Sequence, residues 1–267
     1  MSEPRAPLRV ACLAGAYVQP GARRFISMLD AHPQIDLVLI LCQGTGGTWL
    51  NRLADLWTRR RWLLPAVLLM EGISITLEFV REPAAFMKFS RSWSRLKYQV
   101  EWFPNLHAPR AVDRLRQLCP DLAVVYGAPL LKPEIFDLPR LGTLGIHHGR
   151  VPAYRGRKTT FWEMYHGERH AGITIQRIGE GIDTGEVVAT GQVEIEERSY
   201  SSVWREVERV GCELFLQAVL EVQGEASQPV RQDHSISKGR LFKQPSVWQI
   251  ATLRWHRRRA LRRHGDT

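Results

Sequence analysis

Two short runs near the start of the chain, Leu8 to Ala14 (LRVACLA) and Ile35 to Cys42 (IDLVLILC), are apolar almost without a break. A strand that alternates apolar and polar residues keeps one wet face. A run without alternation is buried on both faces, as in a parallel sheet covered by helices. Between the two runs, Gly15 to Gly21 reads as a turn, and Ala22 to His32 has helical spacing that sets Phe25, Met28 and Leu29 on one side. Strand, turn, helix, strand is the unit of a doubly wound α/β fold, so the expected architecture is an open, mostly parallel sheet with helices on its faces.

The same rhythm returns further on. Ala108 to Leu118 is an amphipathic helix that leads through Pro120-Asp121 into a strand, Leu122 to Tyr126. A loop and short helix over Gly127 to Leu138 precede the strand Thr143 to His147. Thr159 to Tyr165 is expected to be helical, Gly172 to Ile178 and Val187 to Ile195 extended, and Ser202 to Val222 a long helix. The pattern breaks from about 44 to 100, where Trp49, Trp57, Trp62 and Trp93 are interleaved with arginines. This stretch reads as a helical insertion; packing on its own domain is the favoured place for it, with contact to a membrane surface as the alternative. Its most apolar part, Trp62 to Met70, contains Pro65 and falls short of the ~20 residues a membrane span needs. The expected organisation is one domain over 1–225, carrying that insertion, and a short basic appendage over 226–267.

Thirty-seven Lys and Arg against 27 Asp and Glu give a net charge of +10, concentrated at Arg59-Arg60-Arg61 and in the tail RWHRRRALRR, Arg254 to Arg263. Such a tail suits nucleic acid, an anionic membrane or an acidic substrate; it equally suits a solvated, poorly ordered terminus, and charge alone does not choose. The four cysteines, Cys12, Cys42, Cys119 and Cys212, lie far apart without metal-ligand spacing. They are expected to be small core hydrophobes in a reducing compartment, and no metal is expected. The opening MSEPRAPLRVACLAG lacks the apolar region of a secretory signal, so a cytoplasmic protein is expected.

Polar residues gather just past the ends of apolar strands in two places, GIHHGRVPAYRG (Gly145 to Gly156) and IGEGIDTGEV (Ile178 to Val187). Open α/β sheets place their ligands at such ends. Asp183 is framed by Gly181 and Gly185, which suits a tight loop that projects one carboxylate into a site; taken alone, the same pattern is ordinary turn chemistry.

Taken with YGAPLLKPEIFDLPRLGTL and FWEMYHGERHAGITI, these segments resemble the catalytic core of the folate-dependent formyltransferases, a family that includes methionyl-tRNA, glycinamide ribonucleotide and amino-sugar N-formyltransferases. The family pattern runs Asn, any residue, His, then Pro five residues beyond, an aromatic-Arg-Gly turn, and later Asp-Thr-Gly. Here His147, Pro152, Tyr154-Arg155-Gly156 and Asp183-Thr184-Gly185 take those places. The resemblance covers Ala108 to Ile195 well and the first two strands loosely. It implies a Rossmann-like formyltransferase fold and formyl transfer from 10-formyltetrahydrofolate to an amine, with His147 and Asp183 as the catalytic residues. By the same resemblance the folate lies against Gly127, Leu130, Leu131 and Lys132 and against Gly179, Glu180, Gly181 and Ile182. His148, Tyr154, Arg155 and Gly156 are the expected substrate contacts. The residue types fit the chemistry: a histidine donates to a developing oxyanion or relays a proton, and an aspartate orients it or takes up charge from the amine.

Two positions depart from the pattern. Gly145 stands where the family has its Asn, and losing one oxyanion donor typically costs about 10²–10³ in rate. Three readings stay open: a backbone N–H, a water or His148 replaces the Asn; the reaction is a related one-carbon or acyl transfer; or the chain is a degenerate relative that binds a ligand. Gln176 stands where several relatives carry histidine, and either lines the pocket or serves structure. As for the acceptor, the methionyl-tRNA enzymes carry a further β-barrel domain, whereas only a short basic segment follows Val222. The expectation is therefore a small amine, such as an amino sugar or sugar nucleotide, whose phosphates suit the basic surface. Hydrolysis of the formyl-folate by water remains an alternative, and tRNA is the less favoured acceptor.

Overall fold

The computed structural model describes residues 6–15, 20–44, 100–196, 198–223, 230–232 and 240–265. The insertion expected over about 44–100 thus lies, from 45 to 99, outside the described residues. The chain divides into two compact units, Met1–Pro120 with Tyr126–Pro129, and Asp121–Val125 with Leu130–Thr267.

The first unit contains β1 (Leu8–Ala14), α1 (Pro20–Asp30), β2 (Ile35–Gln43), β3 (Val100–Phe103) and α2 (Pro109–Leu118). β1 pairs in parallel with β2, and β2 with β3. The unbroken apolar runs are buried along nearly their whole length, as strands of a covered parallel sheet must be. α1 buries Phe25, Ile26 and Leu29, with Met28 only half-buried. Ile26 is a buried position that the expected face left out. Cys12 and Cys42 are core residues, and burial pushes the Cys42 thiol up to about 12 and that of Cys12 higher still. Cys119 corrects the expectation for the cysteines: it is exposed, because it caps α2 in the left-handed conformation (φ 42°) and its thiol turns back to the Arg116 carbonyl.

The second unit holds β4 (Leu122–Tyr126, up to Val125), α3 (Pro133–Phe136), β5 (Thr143–His147), β6 (Arg155–Gly156), α4 (Thr159–Tyr165), β7 (His170–Arg177), β8 (Val187–Glu194), α5 (Tyr200–Gln223), β9 (Leu241–Phe242) and α6 (Val247–Gly265). β4 and β5 pair in parallel; β7 then runs antiparallel to β5, and β8 antiparallel to β7. The result is the mostly parallel α/β class expected from the sequence. Tyr154, Phe161, Trp162, Ile173, Val203, Val207, Phe242 and Leu253 form this unit's main core.

The C-terminal segment packs on this unit. β9 pairs with β6, and the Trp162 indole N–H donates to the Lys243 carbonyl at 2.9 Å. Leu253 is buried and Ile250 half-buried against the core, one helical turn apart, whereas Val247, Trp248 and Trp255 of the same helix are exposed. The poorly ordered terminus that the charge run allowed is therefore not observed as far as 265: Val247–Gly265 is helical. Among the described residues no helix is long and apolar enough to cross a membrane.

Candidate active site

β5 ends at His147 because the strand's apolar residues run out there and the chain turns into Gly149–Tyr154. Buried polar side chains hold that turn. Thr174 Oγ1 donates to the Gly149 carbonyl at 2.8 Å, Thr160 Oγ1 donates to the His148 carbonyl at 3.1 Å, and Thr159 Oγ1 donates to the same carbonyl. The carboxylate of Glu163, fully buried in α4, accepts the backbone N–H groups of Arg150 and Gly172, each at 3.1 Å. Burial raises the Glu163 pKa to about 7, and the two backbone donors work against that rise.

His147 is 7% exposed and engaged at both ring nitrogens. Nε2 lies 2.7 Å from the Tyr154 carbonyl, which can only accept, so Nε2 carries the proton and donates. Nδ1 lies 3.3 Å from Asp183 Oδ1. A hydrogen bond there requires a second proton between ring and carboxylate, so the pair can hold a proton at Nδ1 and Oδ1. Asp183 sits in the left-handed region (φ 53°), a conformation that aspartate tolerates better than most residues. Its carboxylate accepts the Gly156 N–H on Oδ2 at 2.8 Å and the Gln176 Nε2–H on Oδ1 at 3.2 Å. Arg155 donates from Nε and Nη2 to the Ile182 carbonyl, at 2.9 and 2.6 Å, clamping the acid loop against the Arg-Gly turn.

The structure therefore brings together His147, Asp183, Arg155, Gly156 and Ile182 from the two segments singled out in the sequence. Tyr154 joins them through its backbone; its ring is buried against Phe242, and its hydroxyl donates to Glu168 at 2.8 Å. His148 does not join them. It points the opposite way from His147, as consecutive strand residues do, and packs on Trp204 with Nε2 3.6 Å from Glu208. Burial, with the neighbouring His147 and Lys158 charges, lowers its pKa to about 3, so it stays neutral. Of the positions assigned to folate, Gly127, Leu130 and Lys132 are exposed, Leu131 is buried, Gly179 is half-buried, and Glu180, Gly181 and Ile182 are exposed. Among the described residues no group of His, Cys, Asp and Glu could hold a metal ion.

At Gly145 a Cβ would come within 2.5 Å of Ile178 Cδ1. The space that a side chain at 145 would need is thus filled from beyond β7. Two residues of the site escaped sequence reasoning. Gln232 donates to Gln176 Oε1 from a C-terminal segment that showed no motif. Glu163 was detectable only as one acid inside the apolar helical run TTFWEMY.

A family model described as formyl transferase matches residues 81–219, just over half of the chain. A methionyl-tRNA formyltransferase of Syntrophus aciditrophicus is 29% identical over 136 residues, 50% of this chain and 44% of that one. The chain spans less than half the length of the first such relatives it matches. Phosphoribosylglycinamide formyltransferase from Bacillus halodurans has a similar structure (TM-score 0.56, 17% identity, covering 82% of this chain and 96% of that one). So has HypX from Aquifex aeolicus in complex with tetrahydrofolic acid (TM-score 0.54, 17% identity, 85% of this chain and 29% of that one). These structural likenesses show a shared fold.

Proposed function

The chain belongs to the formyl transferase family, and on that premise we propose that it transfers a formyl group from 10-formyltetrahydrofolate to a primary amine of a small molecule. The observation that carries the reading is the His147–Asp183 contact at 3.3 Å, with the Asp183 carboxylate held by a backbone N–H and by Gln176. In the reaction the amine nitrogen bonds to the formyl carbon, the bond from that carbon to folate N10 breaks, and one amine proton ends on N10. His147 and Asp183 supply a proton-holding pair for that transfer, sheltered from bulk water. The Nε2–H of His147 is the donor best placed to turn toward a developing oxyanion, exchanging the Tyr154 carbonyl for it.

The donor's proposed seat fits a flat heteroaromatic ring in its residue types. Leu130 and Ile182 expose apolar side chains, at 62% and 42%, beside the backbone of glycine-containing loops. For the acceptor we favour an amino sugar or sugar nucleotide, because a chain of net charge +10 suits a phosphorylated amine. The test is a radiolabelled formyl-transfer assay against a panel of nucleotide-linked amino sugars, glycinamide ribonucleotide and methionyl-tRNA. Transfer to one small amine supports the reading, transfer to the tRNA alone replaces the acceptor, and release of formate with no acceptor identifies a hydrolase. The degenerate reading has one observation in its favour, Ile178 occupying the space beside Gly145. It predicts that only a Gly145→Asn/Ile178→Ala double variant transfers formyl groups.

A further inference from the structure

Gly145 carries no side chain, but the strand beside it carries an amide. In the antiparallel register of β5 and β7, Gly145 lies opposite Gln176, and His147 opposite Thr174. Directly opposite residues share a face, so Gln176 sits on the His147 side of the sheet, where it is 3% exposed. Its Nε2 donates to Asp183 Oδ1 at 3.2 Å, and its Oε1 accepts from Gln232 Nε2 at 3.2 Å. Gln232 Nε2 also faces the carbonyls of Gly185 at 2.7 Å and Asp183 at 3.3 Å.

These partners fix both amide orientations. Turned over, Gln232 would aim its oxygen at three acceptors, and Gln176 would aim its own at a carboxylate. The orientation leaves Gln232 Oε1 buried with no donor among the described residues. A buried acceptor without a donor is costly, so an apolar side chain would serve better as mere filling. What the amide contributes here is its N–H donor.

We propose that Gln232 and Gln176 form a donor relay that positions Asp183 against His147, so that the geometry of the catalytic pair is set from β7 and from the C-terminal segment. Gln232 lies beyond residues 81–219 that match the family model, so this chain's own C-terminal segment completes the site. The relay rests on the proposed function only for what the pair does, not for its existence. Neither amide ionises, so the support for Asp183 does not vary with pH, unlike that from a histidine at 176. Among the described residues the relay touches one charged group, Asp183, and His147 lies on the far side of that carboxylate.

The experiment is proton NMR of the full-length chain, reading the downfield resonance of the proton between His147 Nδ1 and Asp183 Oδ1, identified by its loss in Asp183→Asn. Gln176→Met and Gln232→Met keep the side-chain volume and remove the donor. Each is expected to shift or broaden that resonance without lowering the melting temperature by more than a few degrees. The double variant is expected to shift the resonance at least as far as Gln176→Met alone, since Gln232 holds the acid loop at the Asp183 and Gly185 carbonyls as well as through Gln176. Gln176→His, which keeps an N–H donor, is expected to restore the resonance. In a formyl-transfer assay the Met variants lower kcat by at least tenfold and leave KM for the folate within twofold. A resonance that both Met variants leave unchanged, or that the wild type lacks, overturns the relay. A resonance that responds as expected in a protein that transfers no formyl group keeps the relay and overturns the proposed function instead.

Discussion

The candidate site in the second unit contains two kinds of position, and the acid loop carries both. The turn after β5 and the tip of the acid loop, where His147 and Asp183 meet, are braced by buried polar groups: Glu163 under Arg150 and Gly172, Thr174 under Gly149, Gln176 and the Gly156 N–H on Asp183. Most positions assigned to the donor, Leu130 and Lys132 on one loop and Glu180 to Ile182 just before Asp183 on the acid loop, are exposed, while Leu131 is buried and Gly179 half-buried. On the proposed function, the contrast teaches that the groups assigned to chemistry are organised before any ligand arrives, while most positions assigned to the donor are left open to solvent. Preorganisation at the first place raises the rate, and openness at the second allows exchange of a large donor.

Four experiments break or sharpen this contrast. The largest effect is expected from Asp183→Asn, which keeps the shape and removes the charge. Formyl transfer should fall about 10²–10⁴-fold in kcat while donor affinity, read by calorimetry, stays within severalfold. A collapse of both would erase the distinction between the braced and the open positions. Next comes the brace. Glu163→Ala strands the buried Gly172 N–H and the part-buried Arg150 N–H and should cost about 2–4 kcal/mol in denaturant unfolding. The same residue gives a pH signature. Its folded pKa, about 7, lies above the ordinary 4.5, so the folded state holds a proton that the unfolded state has released between those values. Stability should therefore fall as pH rises from 4.5 to 7, and Glu163→Gln should flatten that slope. Third, Gly145→Asn must push Ile178 aside and should destabilise by about 1–3 kcal/mol, with most of the loss recovered when Ile178→Ala is added. The smallest effect belongs to the open seat. Leu130→Ser or Ile182→Ser should weaken donor binding by roughly three- to tenfold, about 1 kcal/mol of apolar contact, and leave kcat unchanged.

Legibility in the sequence followed the same line. β1, β2 and β4 were readable because double-sided burial leaves few polar residues in the run, Arg9 and Asp36 standing near the strand starts, and Thr159–Tyr165 emerged as the helix its spacing predicts. His147 and Asp183 could be paired because glycines and an Arg-Gly turn frame them in a fixed order. Partners that depend on long-range packing were hidden. Gln232 carries no local pattern, and only the fold brings it across from position 232 to Gln176. The adjacent histidines His147 and His148 look equivalent as letters, yet strand alternation sends one to the site and the other beneath α5. The helix α6 concealed its anchors, because Ile250 and Leu253, just before the charge run, are not distinguished by letter from the exposed Val247 and Trp248 beside them, and only docking selects the pair.

The central claim is that a prebuilt His147–Asp183 pair stands beside an open folate seat, and calorimetric titration with a non-hydrolysable 10-formyltetrahydrofolate analogue tests it most directly. Run on the wild type and on His147→Ala/Asp183→Ala, it should give micromolar binding in both, with the double variant weaker by no more than about tenfold. No binding by the wild type would contradict the account.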